Sequence, residues 1–409
     1  MRRTRFALLG VVVVLACENK GGAPTSASAA GVVLPLGSPA GPGAGEPFLS
    51  AAPDGNVLLS WLEPAPDSSH ALRFAVFNGT EWSQPRTIRA GKDFFVNWAD
   101  FPSIKALDDG RLAAHWLQKT GVGTYAYGVR VSQSADGGAT WSEPLIPHRD
   151  SSDTEHGFVT LWREGAGMGA VWLDGRKYNK EGHSPTNEMT VVTTTISADG
   201  MLGAETTLDE RACDCCQTAV AMTSGGPVVA YRDRTADEIR DIYVTRRDGG
   251  RWTTPAPVHN DGWKIAACPV NGPAIAAAGR RVALAWFTAA SDSGMVKVAF
   301  SSDAGATFGP PIRIDEGKPA GRVDVALTPD GSALVSWIER TGGDTAAVRV
   351  RRVSSGRAPE VPVTIATSSA ARASGFPRMI VHGNDALFAW TEPGKPSAVR
   401  LAKLTGAGK

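Results

Sequence analysis

A chain of 409 residues is long enough for two or three ordinary domains, yet its 42 basic and 41 acidic residues leave a formal charge of only +1. That balance removes the electrostatic reason to expect nucleic acid as a partner, and with seven histidines a multi-histidine metal centre is not the default expectation. The 46 glycines and 27 prolines, with no long amphipathic stretch to compete, point to many short strands joined by tight turns.

The first 17 residues read as a bacterial export signal. Arg2, Arg3 and Arg5 form its basic region, and Phe6 to Val14 an apolar stretch too short to span a bilayer. Leu15-Ala16-Cys17 resembles the lipobox of bacterial lipoproteins, which implies lipidation of Cys17 as the new N-terminus. Glu18 stands where an Asp would signal inner-membrane retention, so the expectation is an extracytoplasmic protein anchored at the outer membrane or cell surface. Residues 18–30, rich in Gly, Ser and Ala, read as a flexible tether, leaving 31–409 as one folded domain.

Within that domain a short apolar run ending in an aromatic recurs seven times, closing at Trp61, Trp116, Trp172, Tyr231, Trp286, Trp337 and Trp390. The steps are 55, 56, 59, 55, 51 and 53 residues. A fixed period of this length is the mark of a repeat architecture. Each repeat reads as four strands, with a turn such as Pro53-Asp54-Gly55 or Pro329-Asp330-Gly331 before the aromatic-ended second strand. Seven four-stranded antiparallel repeats predict an all-β fold, a seven-bladed β-propeller; six blades with a stray hairpin is the alternative. The bodies run roughly 47–90, 100–148, 156–208, 217–259, 270–315, 320–366 and 372–406. The last has three clear strands, so the strand-like segment 32–36 is expected to complete it and close the ring.

Ser134-Ala135-Asp136-Gly137-Gly138-Ala139-Thr140-Trp141, between third and fourth strands, matches the Asp-box of bacterial neuraminidase repeats. Ser301-Ser302-Asp303-Ala304-Gly305-Ala306-Thr307-Phe308 matches with Phe for Trp, and Asn78 to Trp82, Asp199-Gly200 and Asp248 to Trp252 are eroded copies. The chain thus resembles the sialidase-like propellers over nearly its whole mature length. In that family the box lies on the face away from the active site. The resemblance implies three arginines for a substrate carboxylate, a tyrosine nucleophile assisted by a glutamate, and an aspartate acid/base. No Arg-Ile-Pro motif is present, and the repeat count is seven where sialidases have six blades.

Loops entering the first strand and leaving the second share one face of a propeller, and there the unusual polar residues collect. Candidate ligand-binding residues are Asn97, Asp100, His156, Asp174, Arg176, Arg232, Asp233, Arg234, Arg240, Asn271, Asp324 and Arg378. If the site is catalytic, Asp100, Asp174, Tyr231, Asp233 and Glu238 are the candidates. Arginine forks suit a carboxylate, sulfate or phosphate, and internal Arg–Asp pairing explains the same residues equally well.

Four cysteines remain once Cys17 is set aside: Cys213, Cys215, Cys216 and Cys268. In an oxidising compartment a bridge from the 213–216 group to Cys268, with a second local pair such as Cys213–Cys215, is expected. The alternative is a soft metal, Cu or Zn, held by thiolates with His156 or His183. Otherwise no cofactor is expected. The leading expectation is a monomeric, surface-anchored propeller binding a glycan, peptide or protein through its polar loop face. An exo-sialidase-like hydrolase and an extracytoplasmic metal-binding protein are the alternatives.

Overall fold

Each second strand reads almost continuously apolar because it is covered on both sides by neighbouring blades, and this fixes the architecture. The computed structural model describes residues 31–178 and 186–409; the export signal, Cys17, the tether and His183 lie outside them. Seven antiparallel sheets are formed in chain order. The second strands are Val57–Ala65, Leu112–Lys119, Gly167–Asp174, Gly226–Arg232, Arg281–Thr288, Ala333–Gly342 and Asp385–Glu392. The innermost are Gly45–Ala51, Ser103–Ala106, His156–Glu164, Ala219–Thr223, Ala274–Ala278, Pro319–Leu327 and Arg378–His382. Each of these packs on the innermost strand of the next blade, and the seventh packs on the first.

The seventh sheet holds three C-terminal strands, and Val33–Leu36 pairs antiparallel with Ala398–Leu404 as its outermost member. The expected closure by the N-terminal segment is therefore observed. Blade two departs from the pattern: it has three full strands, and only a bridge between Val131 and Leu145 stands for the fourth.

Among the described residues the hydrophobic core is divided into seven clusters, one between each pair of adjacent blades. The repeating aromatics are the wedges, and all seven are buried. Removing one such ring typically costs about 3–5 kcal/mol.

The two full Ser-x-Asp turns adopt one geometry. Asp136 Oδ1 accepts the Thr140 amide at 2.9 Å and the Ser134 hydroxyl at 2.8 Å, while Ser134 Oγ accepts the Gly138 amide at 2.7 Å. Asp303 repeats this with the Thr307 amide at 2.9 Å and the Ser301 hydroxyl at 2.7 Å. Free of any burial penalty to speak of, these bonds hold both carboxyls below the usual range.

Candidate functional site

On the opposite face, each loop from the outermost strand of one blade dives to the axis and becomes the innermost strand of the next. Several of these entries contain a β-bulge with a non-glycine residue at positive φ: Glu46 (51°), Phe158 (53°) and Arg322 (56°). The bulge turns that residue's N–H out of the sheet ladder. Asp100 Oδ1 receives Phe158 N at 2.7 Å, Asn271 Oδ1 receives Arg322 N at 2.7 Å, and Thr391 Oγ1 receives Glu46 N at 3.1 Å. The preceding glycine permits the approach: a Cβ on Gly157 would lie 2.0 Å from Asp100 Oδ2, and one on Gly321 would lie 2.2 Å from Asn271 Oδ1. Asp324 Oδ2 likewise receives Met379 N at 2.8 Å. Asp100, Asn271 and Asp324, expected as ligand groups, are thus latches between blades. Asn97 is also internally engaged, through Ala99 N at 2.8 Å.

The charges just beyond the aromatics are internal as well. Trp61, Trp172 and Trp337 donate their indole N–H to the carboxylate two residues on, Glu63, Asp174 and Glu339, at 2.7, 2.8 and 2.5 Å. Two residues along a strand return to the same side, so the carboxylate sits over the ring edge. Asp174 is fully buried and also takes two hydrogen bonds from Arg176, at 2.7 and 2.8 Å, which hold it below the usual range although burial pushes the other way. His156 lies beside this pair, stacked on His148 and bonded to Asp150 Oδ2 at 3.0 Å, away from the cysteines. Arg378 lies over the Phe48 and Phe101 rings and 3.5 Å from Asp324.

In blade four the three arginines are buried and occupied. Arg232 donates to the carbonyls of Asn271, Arg240 and Phe287, with its guanidinium 4.8 Å from the Trp263 ring centroid. Arg234 and Arg240 both bond Glu238, at 2.7 and 2.8 Å. They do not form an open clamp for a substrate carboxylate. Tyr231, fully buried in the core between blades three and four, donates to Asp209, and Asp209, Asp233 and Tyr243 line a groove at that blade boundary. Among the described residues no hydrogen bond joins Tyr231 or Asp233 to Asp100, whose carboxyl is taken by Phe158 N and Tyr127 in the fold.

What it does bring together is Tyr127, Glu155 and Asp100. The Tyr127 hydroxyl lies 2.7 Å from Glu155 Oε1 and 3.0 Å from Asp100 Oδ2, and Phe95 stacks on its ring at 3.8 Å. One phenolic proton cannot serve two carboxylates at once, so the second close contact calls for a proton on a carboxyl. Burial supplies the reason. It raises Asp100 to about 7 and Glu155 well above the usual range, the latter pushed further by Asp214, Asp100 and Cys268.

Beside this triad lie the cysteines, on the loops entering blades four and five. Cys213 Sγ is 3.3 Å from Cys216 Sγ and 3.7 Å from Cys215 Sγ, and Cys268 Sγ is 3.7 Å from Asp214 Oδ1. Among the described residues, none of the four is joined in a disulfide. The expected bridges are not formed, because the 213–216 sulfurs sit at hydrogen-bonding separations, far beyond the ~2.05 Å of an S–S bond. Against its burial, Cys216 is held well below the usual thiol value by Cys213 and Cys215, the Arg232 charge and the Asn271 amide.

Tyr127 is among the four tyrosines, with Tyr178, Tyr231 and Tyr243, that the sequence offers as a nucleophile, whereas Glu155 and Asp214 are not singled out from the polar runs that hold them. Glu155 lies within the polar run Asp153 to His156, and Tyr127 within the few tyrosines, but nothing local pairs residues 28 apart.

No family model matches the chain, and no curated protein matches it. Among solved structures it is similar to a protein of unknown function from Dyadobacter fermentans, at 17% identity over 89% of this chain and 95% of that one, TM-score 0.50. It is also similar to an α-L-arabinofuranosidase from Fusarium graminearum (12% identity, 92% and 97% covered, TM-score 0.49). A Trypanosoma rangeli sialidase gives 13% identity, TM-score 0.48, with 78% of this chain and 56% of that one covered. At these identities the likeness is one of fold.

Proposed function

We propose that this chain is an exported, lipid-anchored propeller that binds a carbohydrate at its loop face, around Tyr127, Glu155 and Asp100. The observation that carries the reading is the phenol held between two carboxyls at 2.7 and 3.0 Å beside the axis. A tyrosine, a glutamate and an aspartate are the groups that the Asp-box resemblance implies for a glycan site. Tyr178, half-buried, supplies ring surface of the kind sugars stack on.

Binding is favoured over turnover because the triad at rest is not a primed nucleophile. Tyr127 is only 1% exposed, and its partner Glu155 is pushed toward the protonated form, which cannot act as a base. The arginines that would hold a sialic-acid carboxylate are engaged within the protein. Hydrolysis of a glycosidic bond is the second reading, favoured by the direct Tyr127–Glu155 contact.

Full-length protein on a glycan array, followed by calorimetry on any hit, tests the first reading. A retained glycan whose affinity falls about tenfold or more in Glu155→Gln is expected; an array without any hit overturns it. Aryl sialosides and aryl α-L-arabinofuranosides test the second, which requires turnover that Tyr127→Phe abolishes.

A further inference from the structure

The four thiols of blades four and five are poised for something that carbohydrate binding does not use. Three come from one short loop, Cys213, Cys215 and Cys216, and their sulfurs all lie within 4.8 Å of one another. The fourth arrives from the next blade: Cys268 Sγ, Cys215 Sγ and an Asp214 oxygen form a second such group. Cys215 is common to both. With metal–sulfur bonds of ~2.3 Å, sulfurs at the corners of a tetrahedron stand about 3.8 Å apart. The Cys213–Cys215 separation of 3.7 Å is already close to that edge, and the 3.3 Å of Cys213–Cys216 needs a small opening.

The surroundings are arranged for thiolates. Arg240 Nη1 donates to Cys213 Sγ at 3.3 Å, and the Asn271 amide donates to Cys216 Sγ at 3.4 Å. Outer donors of this kind orient sulfur ligands and spread their charge. Arg232 adds a sharper point. It is 1% exposed, and its hydrogen bonds go to three backbone carbonyls, none of which cancels its charge. A buried cation is costly without an anion near it, and Arg232 meets the cysteine loop at Asn271, whose carbonyl takes its guanidinium and whose amide donates to Cys216 Sγ.

We propose that Cys213, Cys215, Cys216 and Cys268 form a binding site for one thiophilic d10 metal ion, Zn2+ or Cu+, that ties the loops of blades four and five together. Binding replaces the thiol protons, which leave to solvent, and no electrons move. Oxygen ligands suit hard cations and four sulfurs do not, so Ca2+ and Mg2+ are excluded as occupants. Asp214 stays outside the set, with Arg240 3.6 Å away as its counter-charge.

The test uses the purified, reduced full-length protein, with Zn2+ and with Cu+ in separate titrations against a chromophoric chelator, and Co2+ as a spectroscopic probe. One metal per chain, protection of four thiols from alkylation, and thiolate-to-Co2+ charge-transfer bands with tetrahedral ligand-field bands are expected. Cys268 is exposed, so metal-free Cys268→Ser should melt like the metal-free wild type while losing more than about 100-fold in metal affinity. Three results each overturn the proposal. They are protein as exported from the cell with two disulfides and no titratable thiol, four reduced thiols that compete for neither ion, and a Cys268→Ser variant that binds as tightly as the wild type.

Discussion

Blades six and four are built on the same plan and differ at one atom group. In blade six the indole of Trp337 donates to Glu339, which also receives the Lys318 amide at 2.7 Å, so a buried carboxylate is fully supplied with donors. In blade four the aromatic is Tyr231, and its hydroxyl reaches sideways to Asp209 of blade three. Asp233, which stands where Glu339 stands, receives no indole. Burial, then the charges of Asp209 and Asp241, push it up to about 7. Blades one, three and six use the aromatic and the acid as a structural pair; in blade four, where tyrosine replaces tryptophan, titratable groups and thiols gather instead.

The comparison breaks most severely if blade four's own compensation is removed. Arg232→Leu leaves the carbonyls of Asn271, Arg240 and Phe287 without their donor, and a loss of about 3–5 kcal/mol in urea-monitored unfolding is expected. A loss under about 1 kcal/mol means those carbonyls are supplied by other donors.

Breaking the pair in blade six should cost less. Trp337→Phe keeps most of the wedge but withdraws the donor from Glu339, 4% exposed, at a cost of about 2 kcal/mol by the same measurement.

Asp233→Asn sharpens the contrast from the other side. The carboxyl titrates near 4 when unfolded and near 7 when folded, so between those values the native state holds the extra proton and stability declines as pH rises. The amide does not titrate. Relative to wild type, the variant should therefore gain on the order of 1 kcal/mol between about pH 4 and pH 8, allowing for partial solvent screening, as read from paired melts. Equal pH slopes for the two proteins would refute the assignment.

Particular residues show which features a sequence can carry by itself. The seven blades, the aromatic wedges and the closing strand were legible because period and alternation are consequences of burial. That Val33–Leu36 completes the last sheet followed from counting strands. The site was legible only in outline. Asp100, Asn271 and Asp324 are polar residues at loop ends, and polarity alone does not distinguish a ligand group from a latch on a bulged backbone. Phe158 and Arg322 adopt positive φ with no glycine to announce it; their signal is the glycine before them. The meeting of Tyr127 with Glu155, and of Cys268 with Cys215, depends on which loops neighbour each other around the ring.

The seam of the ring bears on how the molecule comes into being. Hydrogen bonds join Val32 to Thr405 across 373 positions of sequence. Six blades are complete from consecutive stretches of chain, so they can assemble while the polypeptide is still being delivered. The seventh has to wait, because its outer strand is among the first segments delivered and its other three are the last. Until then Val33–Leu36 travels as an unpaired strand and Ala398–Leu404 offers a bare edge to receive it. A partner carrying a matching strand at that moment competes with the chain's own beginning, and exchange of this segment between two copies is the misassembly that the topology invites.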